Sequence, residues 1–260
     1  MIPLTVCLFT LTITLHFYKF NKKNLIIFFC IIFLILSPLN NVTAVDSSLV
    51  FKVNSLRNIK SKVLLNAPLI LQYPELPRGC EVTSLAMLLQ HAGVMVDKLT
   101  LARAVKKDPT PYRRKNGIIH FGNPYTGFVG DMYSKRKKGL GVYHGPIADL
   151  AEQFLPARII DLTGEDFTQV YNHLSNGSPV WVIINAKYKR LPKSDFETWK
   201  TPTGVIKITY QEHSVLVTGY DEHYIYFNDP LSKVKNKKAP KDEFIASWVQ
   251  MGKQAITYLP

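Results

Sequence analysis

The hydrophobic pattern changes along the chain from a helical period to a strand period. Apolar residues between positions 79 and 92 recur at the i, i+3, i+4, i+7 spacing of an amphipathic helix, and Gly93 provides a stop. Further helices are predicted over 97–107, 146–155, 164–176 and 242–252. Strands are predicted over 179–186, 205–210, 213–220, 224–229 and 253–258. Helices first and antiparallel strands later predict an α+β fold.

The first 44 residues differ in pattern from the rest of the chain. Apolar runs at 2–18 and 25–36 flank a short basic stretch, and each run is shorter than the roughly 20 apolar residues that span a bilayer. The polar stretch after Pro38 reaches Val42-Thr43-Ala44, which is typical of a signal-peptide cleavage site. We predict a signal peptide cleaved after Ala44, or a retained N-terminal membrane anchor. Both predict a protein that is secreted or held on the extracellular face of the membrane.

The remaining chain divides into two predicted parts. Residues 45–65 are mixed in character and predict a linker or an edge segment, and residues 66–260 predict the functional domain. Inside that domain, residues 108–145 are rich in glycine, tyrosine, proline and basic residues and show no clear period. A plain connection is rarely so long, which favours an ordered functional loop.

The chain is strongly basic, with 32 lysine and arginine residues against 19 acidic residues and a net charge of +13. Residues 1–44 contribute three lysines and no acids, so the remaining chain carries +10. Such charge most often forms a solvated surface, but on an exported domain it also favours an anionic cell-wall polymer or a membrane surface as a partner. The chain has no basic helix interleaved with aromatic residues, which argues against nucleic acid.

Cys80 is the sole cysteine of the predicted mature domain, because Cys7 and Cys30 lie in the N-terminal apolar runs. It has no partner for an internal disulfide, so it is either a buried, inert side chain or a reactive thiol. Its position at the start of the helix predicted over 79–92 favours a reactive thiol. Unpaired N–H groups and the positive end of the helix dipole lie there, and both favour the thiolate. We therefore predict Cys80 as a nucleophile.

The strands predicted over 213–220 and 224–229 form a hairpin around Glu222. In a short-loop register, His213 and Asp229 lie opposite each other, or nearly so, at the end away from the turn. Opposed residues share a face of the sheet, with Cβ atoms about 5 Å apart. Taken singly, His213 is typical of a core histidine and Asp229 of a turn residue. Together with Cys80 they predict a base and its orienting carboxylate in a catalytic triad.

Two further residues near this site carry polar side chains. Gln72 lies eight residues before Cys80 and is predicted to stabilise an oxyanion together with the Cys80 backbone N–H, the alternative being a surface glutamine. Glu212 precedes His213 on the same strand, so its side chain is predicted to lie on the opposite face of the sheet. There it would be either solvated or in contact with the substrate. We predict no metal and no cofactor, because phosphate loops and paired-cysteine motifs are missing and ligand spacing is lacking among His91, His120, His144, His173 and His223.

Five segments occur in an order that carries a family resemblance: LQYPELPRGCEVTS (71–84), GFVGD (127–131), GVY (141–143), EHSVLVTGYD (212–221) and FNDP (227–230). They resemble the peptidase-family-thirty-nine-like domain of Gram-positive bacteria over about residues 62–258. That group is similar to the bacteriocin-processing cysteine peptidases and belongs to the papain-like clan. The resemblance implies a papain-like α+β fold, with the nucleophile at a helix N-terminus packed on an antiparallel sheet.

The resemblance also implies roles for individual residues. A Cys-His-Asp triad maps onto Cys80, His213 and Asp229, and the oxyanion glutamine maps best onto Gln72. In the bacteriocin-processing enzymes that glutamine is usually closer to the cysteine than it is here. The transporter segments of those enzymes are missing from this chain, so a role in bacteriocin export does not carry over.

We expect an exported thiol hydrolase, a cysteine peptidase that acts through an acyl-thioester intermediate on a peptide or peptidoglycan-like substrate. One alternative is a non-catalytic cell-wall-binding module on the same fold, motivated by the net charge and by Arg113, Arg114, Lys135, Arg136, Lys137 and Lys138. Another is a peptidoglycan amidase or acyl transferase, because these reactions share the acyl-thioester step with proteolysis.

Overall fold

The computed structural model describes residues 59–260. The signal peptide or anchor predicted over 1–44 lies outside the described residues, as does most of the segment predicted over 45–65. The helices are α1 (Cys80–His91), α2 (Lys98–Ala104), α3 (His144–Phe154), α4 (Phe167–Ser175) and α5 (Lys241–Gln250). Among residues 59–260, no helix has the length and apolar character needed to cross a membrane.

The strands are short except in the centre of the main sheet. In chain order they are β1 (Val63–Leu64), β2 (Lys107–Asp108), β3 (Arg113–Lys115), β4 (Ile118–His120), β5 (Phe128–Val129), β6 (Ile159–Asp161), β7 (Val180–Asn185), β8 (Glu197–Thr201), β9 (Gly204–Ile208), β10 (Glu212–Tyr220), β11 (Tyr224–Asn228), β12 (Lys237–Pro240) and β13 (Ala255–Tyr258). A single 3₁₀ turn, Lys193–Asp195, is described between β7 and β8.

The main sheet has seven strands, six of them in the order β12-β11-β10-β7-β13-β6. All its pairings are antiparallel, and β1 pairs with the end of β10 through Val63 and Leu64. The sheet therefore begins inside the segment predicted as a linker or edge. The mixture of helix and antiparallel sheet agrees with the predicted α+β class.

Helices cover both faces of this sheet, which explains the sequence of its central strands. Along β7, Trp181 and Ile183 face a cluster built with α1 and α3, whereas Val180, Val182 and Ile184 face a second cluster built with α4 and α5. A strand buried on both faces needs an apolar residue at every position, and residues 180–184 meet that need. Burial of each such aliphatic side chain contributes about 1.5–3 kcal/mol.

The region predicted as a long loop over 108–145 contains short strands. β3 and β4 join β8 and β9 in a four-stranded sheet of order β3-β4-β8-β9, and β2 pairs in parallel with β5. A small core that includes Ile119, Trp199 and Ile208 holds this part together. Strands of two or three residues show too little periodicity to stand out in the sequence, so most of them escaped prediction.

Candidate active site

Helix α1 presents Cys80 as its first residue, directly after Gly79, and no side chain caps this helix end among the described residues. The Cys80 N–H therefore remains one of the unpaired donors of a helix start. The helix is attached to the main sheet by two polar contacts. Ser84 Oγ donates to the Ser214 carbonyl at 3.1 Å, and Trp181 Nε1 donates to the Glu81 carbonyl at 3.0 Å. These contacts place the start of α1 beside the start of β10.

His213 and Asp229 meet at that same end of the sheet. The β10–β11 register pairs Leu216 with Asn228, so Asp229 follows the last residue of β11 and lies two positions along from His213 on one face. Their side chains are joined by a hydrogen bond of 2.7 Å between His213 Nε2 and Asp229 Oδ1. The predicted proximity is present, although the two residues are diagonal neighbours and not a direct cross-strand pair.

Asp229 is held as a carboxylate by an unusual number of donors. Besides His213, Oδ2 accepts from the Tyr188 hydroxyl at 2.6 Å and from Lys237 Nζ at 3.2 Å, and Oδ1 accepts from the Leu231 N–H at 2.9 Å. Burial opposes ionisation, but the hydrogen bonds and the charge of His213 outweigh it and hold the pKa of Asp229 well below its usual range. A carboxylate only accepts, so Nε2 is the donor in this bond, and in the neutral form of the ring Nδ1 is the acceptor.

A cavity of about 340 Å³ joins the nucleophile candidate to the histidine. Its walls come from the loop before α1 and the start of that helix, the segment between β5 and α3, the residue after β7, the start of β10 and the loop after β11. The lining residues are Gln72, Pro77, Arg78, Cys80, Lys135, Gly139, Leu140, Ala186, Tyr210, Glu212, His213 and Leu231. Three of the four predicted site residues border this cavity directly, and the fourth, Asp229, lies behind His213.

The Cys80 thiol contacts a carboxyl group and not the histidine. Its Sγ donates to Glu81 Oε2 at 3.3 Å, and no hydrogen bond joins it to His213 within residues 59–260. Burial raises the pKa of the Cys80 thiol well above its usual range, and the charges of Glu81 and Glu212 raise it further. The Ser214 N–H acts in the opposite direction but does not compensate. Burial and the two neighbouring carboxyl groups therefore act against the thiolate that the helix start was expected to favour.

Glu81 and Glu212 form a close pair beside the sulfur. One carboxylate oxygen from each lies within 4.8 Å of the other and of Cys80 Sγ. Burial raises the pKa of Glu81 to about 7, although the Val142 N–H donates to its Oε1 at 2.7 Å. Burial likewise raises the pKa of Glu212 well above its usual range, and the charge of Glu81 adds to the effect. Two acids so close together resist simultaneous ionisation, so the pair retains a proton near neutral pH.

Gly141 makes room for this pair. A Cβ at that position would lie 2.1 Å from Glu81 Oε1 and 2.9 Å from Glu212 Oε2, both far inside contact distance. Glu212 is also incompletely bonded, because its Oε1 is buried and has no hydrogen-bond partner among the described residues. This oxygen is therefore not solvated, contrary to one of the two predictions for Glu212. The residue does border the cavity, as a substrate contact would require.

The same three groups are the only cluster in residues 59–260 with the donor spacing of a metal site. A thiolate with two carboxylates is a donor set that zinc accepts, given a fourth ligand. The histidine spacing used in the sequence analysis could not reveal such a cluster, because Cys80 and Glu81 meet Glu212 only after folding.

Gln72 occupies the predicted place but its amide group is already engaged. Nε2 donates to the Leu76 carbonyl at 3.1 Å and to the Pro77 carbonyl at 3.0 Å, while Oε1 is buried without a partner. Both amide protons therefore hold the loop that leads into Cys80. Donation to an oxyanion requires the release of one of these carbonyls.

Sequence reasoning missed four side chains that surround the site. Tyr188 and Lys237 bind Asp229, and Glu81 and Arg78 flank Cys80 in the chain. For Tyr188 and Lys237 no sequence signal was available, because they lie 41 and 8 positions from Asp229 and outside the predicted hairpin. For Glu81 a signal existed: an acidic residue directly after a candidate nucleophile opposes thiolate formation.

The comparisons with known proteins agree with this architecture. The model of the Peptidase_C39 like family matches residues 64–256, and the chain belongs to that family. It is 49% identical over 183 residues to the "Uncharacterized protein YvpB" of Bacillus subtilis (strain 168), with 70% of each protein covered. A crystal structure from Bacillus anthracis, described as a "putative C39-like peptidase", is 46% identical with a TM-score of 0.72, covering 77% of this chain and 98% of that one. Family and structural neighbour together indicate a peptidase.

Proposed function

We propose that the chain is an exported thiol peptidase of papain-like fold in which Cys80 is the nucleophile, His213 the general base and Asp229 the orienting carboxylate. The observation that carries the proposal is the 2.7 Å hydrogen bond between His213 Nε2 and Asp229, made beside the cavity that Cys80 also borders. That bond fixes the tautomer with Nδ1 unprotonated, which is the form a general base requires.

The first chemical step starts from a neutral thiol. The sulfur turns about its χ1 bond from Glu81 toward His213, whose Nδ1 accepts the S–H proton as the sulfur attacks a substrate carbonyl carbon. A C–S bond forms and the carbonyl oxygen becomes an oxyanion. Because burial and two carboxyl groups raise the pKa of Cys80, proton transfer accompanies attack, and the alternative of a resting thiolate–imidazolium pair is disfavoured.

The second step releases the amine and then the acid. Collapse of the oxyanion breaks the C–N bond, and the leaving amine takes the proton from His213. Water then attacks the thioester with His213 as the base, which frees the carboxylic acid and restores the thiol. The Cys80 N–H at the uncapped helix start is one oxyanion donor, and Gln72 becomes the second when it exchanges the Pro77 carbonyl for the oxyanion.

The test uses the full-length chain and a panel of internally quenched peptides. We expect hydrolysis by the wild type, and a loss of at least about 10³-fold in both Cys80→Ala and His213→Ala. The matched control is His223→Ala, which removes an exposed histidine from the turn of the same hairpin and leaves hydrolysis unchanged. Activity that survives Cys80→Ala would overturn the proposal.

A second candidate is a binding module that keeps the fold but lacks catalysis. The observation in its favour is that Cys80 bonds to Glu81 and not to His213, with a thiol pKa raised by burial. It predicts binding to isolated cell walls that is equal in the wild type and Cys80→Ala and that falls at high salt. An amidase or acyl transferase acting on peptidoglycan would instead show Cys80-dependent release of amine or transfer product from the same walls.

A further inference from the structure

A second cavity of about 340 Å³ adjoins the one that contains Cys80. The two share Arg78, Lys135, Gly139 and Tyr210 as lining residues, which places them next to each other on the protein. We call this second cavity the basic groove, because its lining includes six cationic side chains and a single carboxylate, that of Glu197. The cations are Arg78, Arg114, Lys135, Arg136, Lys137 and Lys138.

One wall of the basic groove includes strand β3, and only one face of that strand lines the groove. Arg114 on β3 is paired with Ile119 on β4, and paired residues share a face. Ile119 belongs to the small core and also lines the groove, and Arg114 lines the groove from the same face of the sheet. Its neighbour Arg113 is paired with His120 and does not line the groove.

The other wall is the loop that carries Lys135 to Lys138, and it is anchored to the chain just before the nucleophile. The Arg78 guanidinium donates to the carbonyls of Asp131 at 3.2 Å, Ser134, and Lys135 at 3.4 Å. Asp131 Oδ1 in turn accepts from the Ser134 N–H at 2.8 Å. Because Arg78 lies two residues before Cys80, this loop is positioned relative to the catalytic cavity.

Most of the positive charge in the basic groove is unpaired. Within the described residues, Lys137 is the one lining cation with an ion pair, to Asp131 at 3.5 Å. Arg78 contacts neutral carbonyls, and Lys138 lies over the Tyr112 ring at 5.2 Å, so neither charge is neutralised. A concave surface with this excess of one sign concentrates ligands of the opposite sign.

We propose that the basic groove is a substrate subsite for an acidic peptide segment on one side of the scissile bond. The inference rests on the proposed peptidase function, since it names the substrate class of that same site. Arginine matches carboxylate groups with paired hydrogen bonds, and Arg114 and Arg136 supply two such groups here. A peptide is favoured over a membrane because the groove is concave and leads to the buried Cys80, which a flat lipid surface does not reach.

The first measurement is binding of fluorescein-labelled peptides to full-length Cys80→Ala by anisotropy. We expect hexaglutamate to bind at least roughly tenfold more tightly than hexaglutamine, and to weaken as salt rises. In the triple variant Arg114→Gln/Arg136→Gln/Lys138→Gln this preference disappears. The control variant Arg113→Gln/Lys115→Gln/Lys233→Gln removes the same charge from exposed positions outside the groove. It should keep most of the preference for hexaglutamate over hexaglutamine.

The second measurement tests whether the groove leads to Cys80. Bound hexaglutamate should slow alkylation of Cys80 by iodoacetamide, followed by mass spectrometry of the peptide that contains it, and hexaglutamine should not. Equal protection by both peptides, or undiminished preference in the triple variant, would overturn the subsite. So would binding of an anionic glycopolymer or anionic vesicles in the absence of hexaglutamate binding. If the groove binds hexaglutamate but no Cys80-dependent hydrolysis occurs, the peptidase proposal fails and the binding site stands.

Discussion

Asp229 and Glu212 are carboxyl groups at the same end of two neighbouring strands, yet their surroundings give them opposite properties. Asp229 receives hydrogen bonds from four groups, and its pKa lies well below the usual range despite burial. Glu212 has a buried oxygen with no partner and faces another acid, Glu81, so its pKa lies well above that range. Burial is common to both, so the donors and the charges around each carboxyl group decide its charge state.

This difference divides the site into two electrostatic halves. The half around His213 holds a fixed negative charge, which stabilises the imidazolium that forms when the base accepts a proton. The half around Cys80 retains protons at the sulfur and on the Glu81–Glu212 pair. A substrate or a movement of Cys80 must bring the two halves together for catalysis. The predictions that follow alter one half at a time.

The largest effect is expected from Asp229→Asn. The amide cannot hold the His213 tautomer as a carboxylate does, so kcat/KM on the best peptide of the panel should fall roughly 10³- to 10⁴-fold. Asp221→Asn is the control, because Asp221 lies in the turn of the same hairpin. Its side chain accepts hydrogen bonds only from groups of that hairpin. Full activity in Asp229→Asn would show that the half of the site around His213 has only a structural role.

Glu81→Gln should change how stability depends on pH. In the folded chain the pKa of Glu81 is raised to about 7 from 4.5, so between these values the folded state binds more protons than the unfolded state. Stability contributed by this group is therefore present below pH 4.5 and lost as pH rises to about 7, by up to about 3 kcal/mol. Urea unfolding at pH 5 and pH 8 should show a smaller difference for Glu81→Gln than for wild type.

The control for that comparison is Glu222→Gln, which changes an exposed glutamate in the hairpin turn. It should leave the difference between pH 5 and pH 8 as in wild type. Glu81→Gln should also speed alkylation of Cys80 at neutral pH, because a negative charge next to the thiol is removed. An unaltered pH dependence together with an unaltered alkylation rate would contradict the shared-proton account of the pair.

Gly141→Ala should reduce the free energy of unfolding by about 2 kcal/mol, because its Cβ displaces Glu81 from the Val142 N–H. The matched control is Gly145→Ala, where the nearest atom to the new Cβ is the Tyr125 carbonyl oxygen at 3.9 Å. Gly145 lies in α3, so alanine there should be neutral or stabilising. Equal effects of the two variants in urea unfolding would count against a tightly packed acid pair.

The smallest effect is expected from Tyr188→Phe, which removes one of the four donors to Asp229. The pKa of Asp229 should rise but remain below neutrality, because His213, Lys237 and the Leu231 N–H still donate. A lost hydrogen bond of about 1 kcal/mol corresponds to roughly a fivefold lower kcat/KM. Tyr133→Phe, at an exposed position in the loop, should leave kcat/KM unchanged. A loss as large as that of Asp229→Asn would mean that a single donor maintains the carboxylate.

Much of the fold was accessible from local pattern. The helix beginning at Cys80 and the strands at 180–185, 212–220 and 224–228 lie within one or two residues of their predicted bounds, because long periodic segments carry strong signals. β6, β8 and β12 were missed, since short or polar strands are stabilised by pairing with neighbours and not by their own sequence.

For the site, the sequence by itself determined which chemical groups are present and which are brought together by local geometry. A hairpin joins His213 to Asp229 over sixteen positions, and a helix start presents Cys80, so both could be predicted from spacing. Only the tertiary structure decided the charge states. Glu212 lies beside Cys80, and Tyr188 and Lys237 bind Asp229. These residues come from separate elements, and electrostatic interactions depend on distances in space that sequence separation does not give.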